Sequence, residues 1–374
     1  MMRMRHVMVA LAGLLVLQLT TVAVRSDDPV TSAVRFNREV VRIFERKCLS
    51  CHGSGGLAMP LSTYREARPW SRAIREELLE GRMPPWPAAR GYATFQNDIS
   101  LTPRELSTIL TWVDGGVPRG DESDLPAPAA PPAAAAPPDH VVRLPEQQIP
   151  AGAEDVIRRV TVRSGLAGTS SIRQVQVRPG ERRVLKAAFV WAVTKGRAPL
   201  WIGAWMPWQS ELTPPALGTF AIHDGADLVV ELHYYGQDRP LSDVSEVALF
   251  FGRADEQASL ESIALEAPAP RAKSPHTSAA DAHVTLPRDT AVWALHPEGL
   301  AGNQSLEVKA RRPDGSVEVL LWIPAGHSAW PTALLLKEPA HQPAGTVLSS
   351  RVTGSGSIRT RTVVALQPGG QPRR

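Results

Sequence analysis

Two cysteines and a histidine form the most reactive cluster in this sequence. Cys48 and Cys51 are the only cysteines among 374 residues, and His52 directly follows the second. Such a pair can form a disulfide, act as a redox dithiol, supply half of a zinc site or attach a haem. A disulfide here would close a very short loop and constrain the unfolded chain little. The surrounding residues must therefore decide between the other three uses.

The context of the pair favours haem attachment. A redox dithiol of the thioredoxin kind belongs to a strand–helix unit, whereas the residues around Cys48 have helical spacing. A zinc site needs a second pair of ligands, and no further cysteine exists to supply it. Cys-x-x-Cys-His is the attachment signature of c-type haem, in which the thiols bond the porphyrin vinyl groups and the histidine binds the iron. We therefore predict a covalent haem c on Cys48, Cys51 and His52.

A methionine is the predicted second axial ligand of the haem iron. Outside the leader the chain has three methionines, Met59, Met83 and Met206. Met83 precedes two prolines that stiffen its loop, and a thioether ligand suits iron that transfers electrons. Met59 follows His52 closely, which makes the opposite face of a haem hard to reach. Met83 is therefore the predicted ligand, and ordinary apolar packing is the alternative.

The N-terminus has the order of a secretory signal peptide. Arg3 and Arg5 precede an apolar run from Val7 to about Leu19, and small residues follow. The run is short for a membrane span, so we expect removal of residues 1–23, with an uncleaved N-terminal anchor as the alternative. The mature protein is accordingly expected to be periplasmic or otherwise exported.

The balance of charges indicates the class of partner. The chain has 41 basic and 37 acidic residues, and no basic run or basic helix face stands out. Nucleic-acid binding is therefore not expected. A haem protein of this kind implies a redox partner protein, and a membrane-associated respiratory assembly is one candidate setting for it.

Composition divides the chain into one helical part and two β-rich parts. Residues 30–121 have helical spacing, including a capping box and a terminal glycine in the stretch TPRELSTILTWVDGG, and an Ala/Pro linker follows at 122–139. Alternating, β-rich segments come next, divided by a second linker at 257–280. The sequence therefore predicts a multidomain fold, with an all-α cytochrome c domain at 30–121 and two tandem all-β sandwiches at 140–256 and 281–374.

The helical part resembles a known family. Its motifs CLSCH, ARPW, RMPPW and TWVDGGVPRGD are similar to the cytochrome c domain that many bacterial proteins fuse to copper type II, ascorbate-dependent monooxygenase-like domains. The resemblance implies that the two thiols and the histidine take the haem, and that the methionine before two prolines is the axial ligand. These roles fall on Cys48, Cys51, His52 and Met83.

The β-rich remainder resembles the paired, jelly-roll-like sandwiches of peptidylglycine alpha-hydroxylating monooxygenase. The stretches QVQVRPGERRVL, GADLVVELHYYGQDRPLSD and RRPDGSVEVLLWIP occur in the order found in that family. The resemblance implies one copper site built from a His-His pair and a later His-Tyr. It implies a second copper site built from a His-x-His motif and a later methionine.

The chain departs from this family at most copper positions. Lys186 and Ala187 stand where the His-His pair belongs, Glu298 replaces the second histidine of His-x-His, and the later methionine is missing. His233 and His296 are the residual copper-site positions. Without the resemblance, His233 is expected to be a half-exposed strand residue and His296 a loop residue. Copper is therefore not expected, because an open copper site needs several nitrogen or sulfur ligands.

Two functions remain, and the first is favoured. The first is an exported mono-haem c-type cytochrome acting in electron transfer, with copper-free monooxygenase-like β domains as scaffold or docking modules. The alternative is a copper-dependent monooxygenase supplied with electrons by its own cytochrome. Because a fold does not by itself determine a function, the missing copper ligands favour an electron carrier over a catalyst.

Overall fold

The computed structural model describes most of the chain after the predicted leader. Residues 1–23, most of the Ala/Pro stretch in 122–139 and part of 257–280 lie outside the described residues. The described ranges are 32–127, 136–212, 214–215, 218–252, 258–266, 278–326, 330–355 and 361–369.

The described helices are short and lie in the N-terminal part. A π-helical turn, Phe36–Val40, continues into the first of five α-helices, and 3₁₀ turns lie at Arg68–Trp70 and Glu122–Asp124. The α-helices are Val41–Lys47, Leu49–His52, Tyr64–Ala67, Ser71–Leu79 and Pro103–Asp114. Within the described residues, no helix has the length and apolar character needed to cross a bilayer.

The longest described helix confirms its predicted boundaries. The Thr102 side chain accepts a hydrogen bond from the Glu105 amide, and the Glu105 carboxylate accepts one from the Thr102 amide. Gly115 caps the other end of the helix. This capping box satisfies amides that the first helical turn leaves without partners.

Eleven strands form the first β part, residues 140–251. They are β1 His140–Arg143, β2 Gln147–Ile149, β3 Val156–Arg163, β4 Ser170–Arg178, β5 Leu185–Val193, β6 Leu200–Trp205, β7 Glu211–Leu212, β8 Gly218–Ile222, β9 Asp227–Tyr234, β10 Leu241–Asp243 and β11 Glu246–Phe251. Nine strands follow: β12 Ala258–Ser259, β13 Glu261–Glu266, β14 Ser278–Thr285, β15 Thr290–Glu298, β16 Gln304–Arg311, β17 Val317–Ile323, β18 Leu334–Gln342, β19 Val347–Gly354 and β20 Arg361–Pro368.

Two sheets enclose the core of the first β part. One has the order β1-β11-β4-β8-β12, with β7 added beside β4, and the other has the order β3-β9-β5-β6. At Gly203 in β6, a Cβ atom would lie 2.8 Å from the Val175 side chain in β4, so glycine permits this close approach of the sheets. Trp205 is buried in this core, whereas the rings of Phe189 and Trp201 stack on His296 of β15.

Two four-stranded sheets enclose the core of the second β part. Their orders are β13-β20-β15-β18 and β14-β19-β16-β17. Strands β12 and β13 fall inside the predicted linker 257–280, and β13 pairs along its whole length with β20. Leu265 is buried in this core, so the second β part begins earlier than the composition suggested.

The predicted all-α cytochrome c domain is wrong. The chain is mostly β, and residues 84–101 contain no helix, since prolines interrupt helical hydrogen bonding there. Trp86, Phe95 and Ile99 are instead buried in the core of the second β part. Phe95 forms a bridge with Leu336 of β18. The short helices keep a small core of their own around Phe36, Phe44 and Trp112, and segment 84–101 joins them to the sheets.

One polar side chain fastens this helix-free segment, residues 84–101, to the sheet. The Nδ2 of Asn97 donates to the Ala333 carbonyl at 2.7 Å, and its Oδ1 accepts from the Leu335 amide at 3.1 Å. Asn97 is buried, so these bonds satisfy backbone groups that water cannot reach.

Replacing Asn97 by Ala should destabilise the whole protein. The substitution leaves two buried backbone groups unpaired, which should lower the free energy of unfolding by about 2–4 kcal/mol. Urea unfolding followed by tryptophan fluorescence measures this loss. The matched control is Gln96→Ala, whose side chain is exposed on the same segment. Equal stability of the two variants would contradict the role of Asn97 in attaching segment 84–101 to the sheet.

Candidate functional site

The four residues predicted to hold a haem line one cavity. Cys48, Cys51, His52 and Met83 surround a space of about 380 Å³, a size common for small-molecule sites. Most of the other lining side chains from the N-terminal part are apolar. They include Phe44, Leu57, Leu61, Ile74, Leu78 and Ile109. The structure thus brings these distant sulfur and nitrogen atoms together at an apolar hollow.

Consecutive helical turns place the two thiols. The amide of Cys48 donates to the Phe44 carbonyl at 2.8 Å, which continues the helix Val41–Lys47. The amides of Cys51 and His52 both donate to the Cys48 carbonyl, at 3.1 and 2.9 Å. One turn therefore separates the sulfur-bearing residues, and His52 follows on the same turn.

A hydrogen bond fixes the tautomer of His52. Its Nδ1 lies 3.0 Å from the Met59 carbonyl oxygen, which can only accept, so Nδ1 carries the proton. Burial lowers the pKa of His52 and keeps the ring neutral. Within the described residues its Nε2 makes no hydrogen bond. This nitrogen therefore has a free lone pair, as a metal-binding histidine requires.

The environment of the thiols argues against a redox dithiol. Both cysteines are free, and burial raises the pKa of Cys48 to about 12 and of Cys51 to about 11. The charge of Arg182 opposes part of the rise at Cys51. Redox-active dithiols need a lowered pKa, because the thiolate is the nucleophile. These thiols are protonated near neutral pH and are poor nucleophiles.

The donor atoms also do not form a zinc site. Among the described residues, no three His, Cys, Asp or Glu side chains are placed to hold one metal ion. Zinc needs about four ligands converging on a point. Two reduced thiols on one turn, an adjacent imidazole with a free Nε2, and apolar walls instead fit a covalently attached haem.

Met59 is a second methionine at the cavity, which sequence reasoning set aside. Its side chain lines the same space as Met83. The loop returns sharply, with the Ala58 amide bonded to the Cys51 carbonyl at 3.1 Å. A Cβ at Gly56 would overlap this carbonyl oxygen. The glycines after His52 were the available signal for this tight return.

The β part supplies the other wall of the cavity. Lys186, Tyr235 and Trp330 line it, although they lie far from the cysteines in sequence. Gln237 fastens this wall, since its Nε2 donates to the Leu57 carbonyl at 3.1 Å and to the Arg183 carbonyl at 2.6 Å. The candidate site is therefore built from both parts of the chain.

His233 and His296 line a second cavity, of about 550 Å³. His296 lies in β15 and is fully buried, so its expected loop position is wrong. Its ring stacks on Phe189 at 3.7 Å between centroids, and His233 meets the same phenyl ring edge-on at 5.7 Å. Trp330 borders this second cavity as well as the first.

Charged groups surround the two histidines. The Nε2 of His233 lies 3.0 Å from a carboxylate oxygen of Glu231, and this hydrogen bond lowers the pKa of Glu231 to about 2. Burial raises the pKa of Glu298, although the positive charge of the nearby Arg361 acts in the other direction. Burial also lowers the pKa of His296 to about 3, and its Nε2 has no hydrogen-bond partner. His296 is therefore a neutral ring at physiological pH.

Replacing His296 by Leu should reduce the acid sensitivity of the fold. Its pKa is lower in the folded chain than the usual 6.5, so its contribution to stability is present above pH 6.5 and is lost as the pH falls towards 3. Between pH 6.5 and 5, wild-type stability should fall about 2 kcal/mol more than that of the variant. Urea unfolding at each pH measures the difference.

The matched control is His283→Leu, at an exposed position on β14. This variant should keep the wild-type dependence on pH. Parallel curves for wild type and His296→Leu would show that the buried ring is not responsible.

Comparison with known proteins gives only weak similarities. No family model matches the chain, and no curated protein matches it. Among solved structures it is similar to N-glycanase F, with 10% identity over 63% of this chain and 98% of the other, and a TM-score of 0.31. It is also similar to the PBCV-1 virus capsid, with 10% identity over 63% of this chain and 95% of the other and a TM-score of 0.24. The major capsid protein P2 of bacteriophage PM2 has 11% identity over 63% of this chain and 100% of the other, with a TM-score of 0.25. Such low TM-scores carry no argument about function.

Proposed function

We propose that this protein is an exported, mono-haem c-type cytochrome that transfers electrons. It would belong to the bacterial proteins that join a haem site to copper type II monooxygenase-like β modules. The observation that carries the proposal is the meeting of Cys48, Cys51, His52 and Met83 at one apolar cavity. Export is part of the proposal because the N-terminal residues have the order of a secretory signal peptide.

Each residue has a defined task in this proposal. Cys48 and Cys51 would hold the haem by thioether bonds, and His52 and Met83 would be the axial ligands. When bound, the haem supplies one-electron chemistry at its iron. The Met59 carbonyl orients the imidazole through Nδ1, and apolar side chains keep water away. His52 and Met83 would hold the iron in both oxidation states, which would favour electron transfer.

The β parts act in this proposal as copper-free scaffold or docking modules. His296 is stacked between aromatic rings, and Glu298 faces Arg361 where the family has a further histidine. A redox partner protein would exchange electrons with the haem, and a membrane-associated respiratory assembly is one candidate setting for this exchange.

A copper-dependent monooxygenase is the second candidate. The observation in its favour is that His233 and His296 border the same cavity. Two imidazoles that share contact with one phenyl ring are a small ligand set for copper, which prefers several nitrogen or sulfur donors. The electron-carrier function is therefore preferred.

Expression in a host that attaches c-type haem tests the proposal. The wild type should keep its haem after acid extraction, with one iron per chain and no stoichiometric copper. The double variant Cys48→Ser, Cys51→Ser should lose covalent haem, because both attachment points are gone. Colourless wild-type protein would refute haem binding, whereas one copper per chain would support the monooxygenase.

Single methionine variants identify the axial ligand. Met83→Ala should abolish the methionine-to-iron charge-transfer band of the oxidised protein and lower its reduction potential, because a Met ligand raises the potential. Met59→Ala, which borders the same cavity, is the matched control and should keep the band. The reverse result would assign the ligand to Met59.

A further inference from the structure

A cation from the β part lies on the wall of the proposed haem cavity. Lys186 borders the same space as Cys48, Cys51 and His52, although more than a hundred residues separate them. Its side chain is only 15% exposed. A lysine side chain with so little exposure is uncommon, so its position needs an explanation.

A β-bulge directs this side chain. Strand β5 pairs with β9 through Leu185 opposite Tyr234 and Ala187 opposite His233, and the register shifts between them. Lys186 is the extra residue of that irregularity. Bulges re-aim side chains and are frequent beside functional sites. The irregularity therefore separates Lys186 from its two neighbours, which are both fully buried in the core.

Two contacts stabilise the ammonium group of Lys186 beside the cavity. Its Nζ lies 2.6 Å from an Asp155 carboxylate oxygen and 4.9 Å from the centre of the Trp330 ring. Asp155 is 75% exposed, so water screens much of its charge. The compensation of the Lys186 charge by Asp155 is therefore incomplete.

The other charged side chains that line this cavity, Glu77 and Lys47, come from the N-terminal part. Glu77 forms two hydrogen bonds with Arg82, so its charge is locally balanced. Lys47 donates to the Asp98 carbonyl on the N-terminal side. Among the described residues that line the cavity, Lys186 is the cation from the β part, and Arg182 of the β part acts on Cys51 from outside this lining.

We infer that Lys186 tunes the haem: its charge raises the reduction potential, so the β part is an electrostatic component of the electron-transfer site. This inference rests on the proposed function. Reduction removes one positive charge from the iron, and a nearby cation favours the state with less positive charge. Lys186 acts through the haem and is a positioning and tuning residue rather than an iron ligand.

The attachment of the β wall makes this effect specific. The Nε2 of Gln237 donates to the Leu57 carbonyl, in the loop 53–60 that follows His52, and to the Arg183 carbonyl, three residues before Lys186. The Tyr235 amide also donates to the Val184 carbonyl at 2.8 Å. The cation is therefore held at a fixed place relative to the cysteine-bearing turn.

Redox titration of the haem-loaded full chain tests the inference. Lys186→Gln should lower the equilibrium constant for reduction by about threefold to tenfold, or about 30–60 mV for one electron. Asp155→Asn should shift it in the opposite direction, because it removes the compensating carboxylate. Lys186→Arg keeps the charge and should stay near the wild-type value.

The matched control is Lys195→Gln, at an exposed turn outside the cavity, which should leave the potential unchanged. A potential unchanged in both Lys186→Gln and Asp155→Asn, with the methionine–iron band intact, would overturn the inference while haem binding stands. Wild-type protein without haem would instead refute the proposed function. If Lys186→Gln does not mature, the opposite shift in Asp155→Asn decides the matter.

Discussion

The hydrogen bond between His52 and the Met59 carbonyl is the contact on which the candidate site depends. It assigns the proton to Nδ1 and leaves Nε2 with a lone pair. It also holds the loop 53–60 back against the cysteine-bearing turn. The return is possible because the residue facing the Cys51 carbonyl is a glycine. The same hydrogen bond therefore fixes both the orientation of the His52 ring and the shape of the loop 53–60.

The cavity beneath this contact is completed by residues from the sheets. Lys186, Tyr235 and Trp330 come from the β parts, and Gln237 bonds the loop directly. An apolar cavity with a lysine from each part, Lys47 and Lys186, differs from a cavity closed only by short helices. The electrostatics of the site therefore depend on how the helical and β parts pack, and the two parts act as one unit.

Local signals predicted local structure well. The capping box at Thr102 and the glycine at position 115 fixed a helix that the structure confirms. The alternation of apolar residues in stretches such as DLVVELHYY predicted strands correctly. The Cys-x-x-Cys-His spacing selected the residues that line the cavity. Such signals depend on neighbours a few positions apart, and a single sequence contains them.

Long-range packing was the part that sequence could not supply. The burial of Trp86 and Phe95 against β18 decides that no separate all-α domain forms, and no periodicity indicates this contact. Lys186 reaches the cavity through a bulge, which depends on the pairing of β5 with β9. His296 looked like a loop residue because Pro297 follows it, yet it lies in an inner strand.

The anchored segment 84–101 has a consequence for how such proteins are divided or recombined. A fragment ending near residue 121 would expose Trp86, Phe95 and Ile99 to water, and an apolar surface of this kind promotes aggregation. The reciprocal fragment would leave the Ala333 and Leu335 backbone groups without Asn97. Exchange of the cysteine-bearing portion between related chains therefore requires a matching edge strand in the partner sheet.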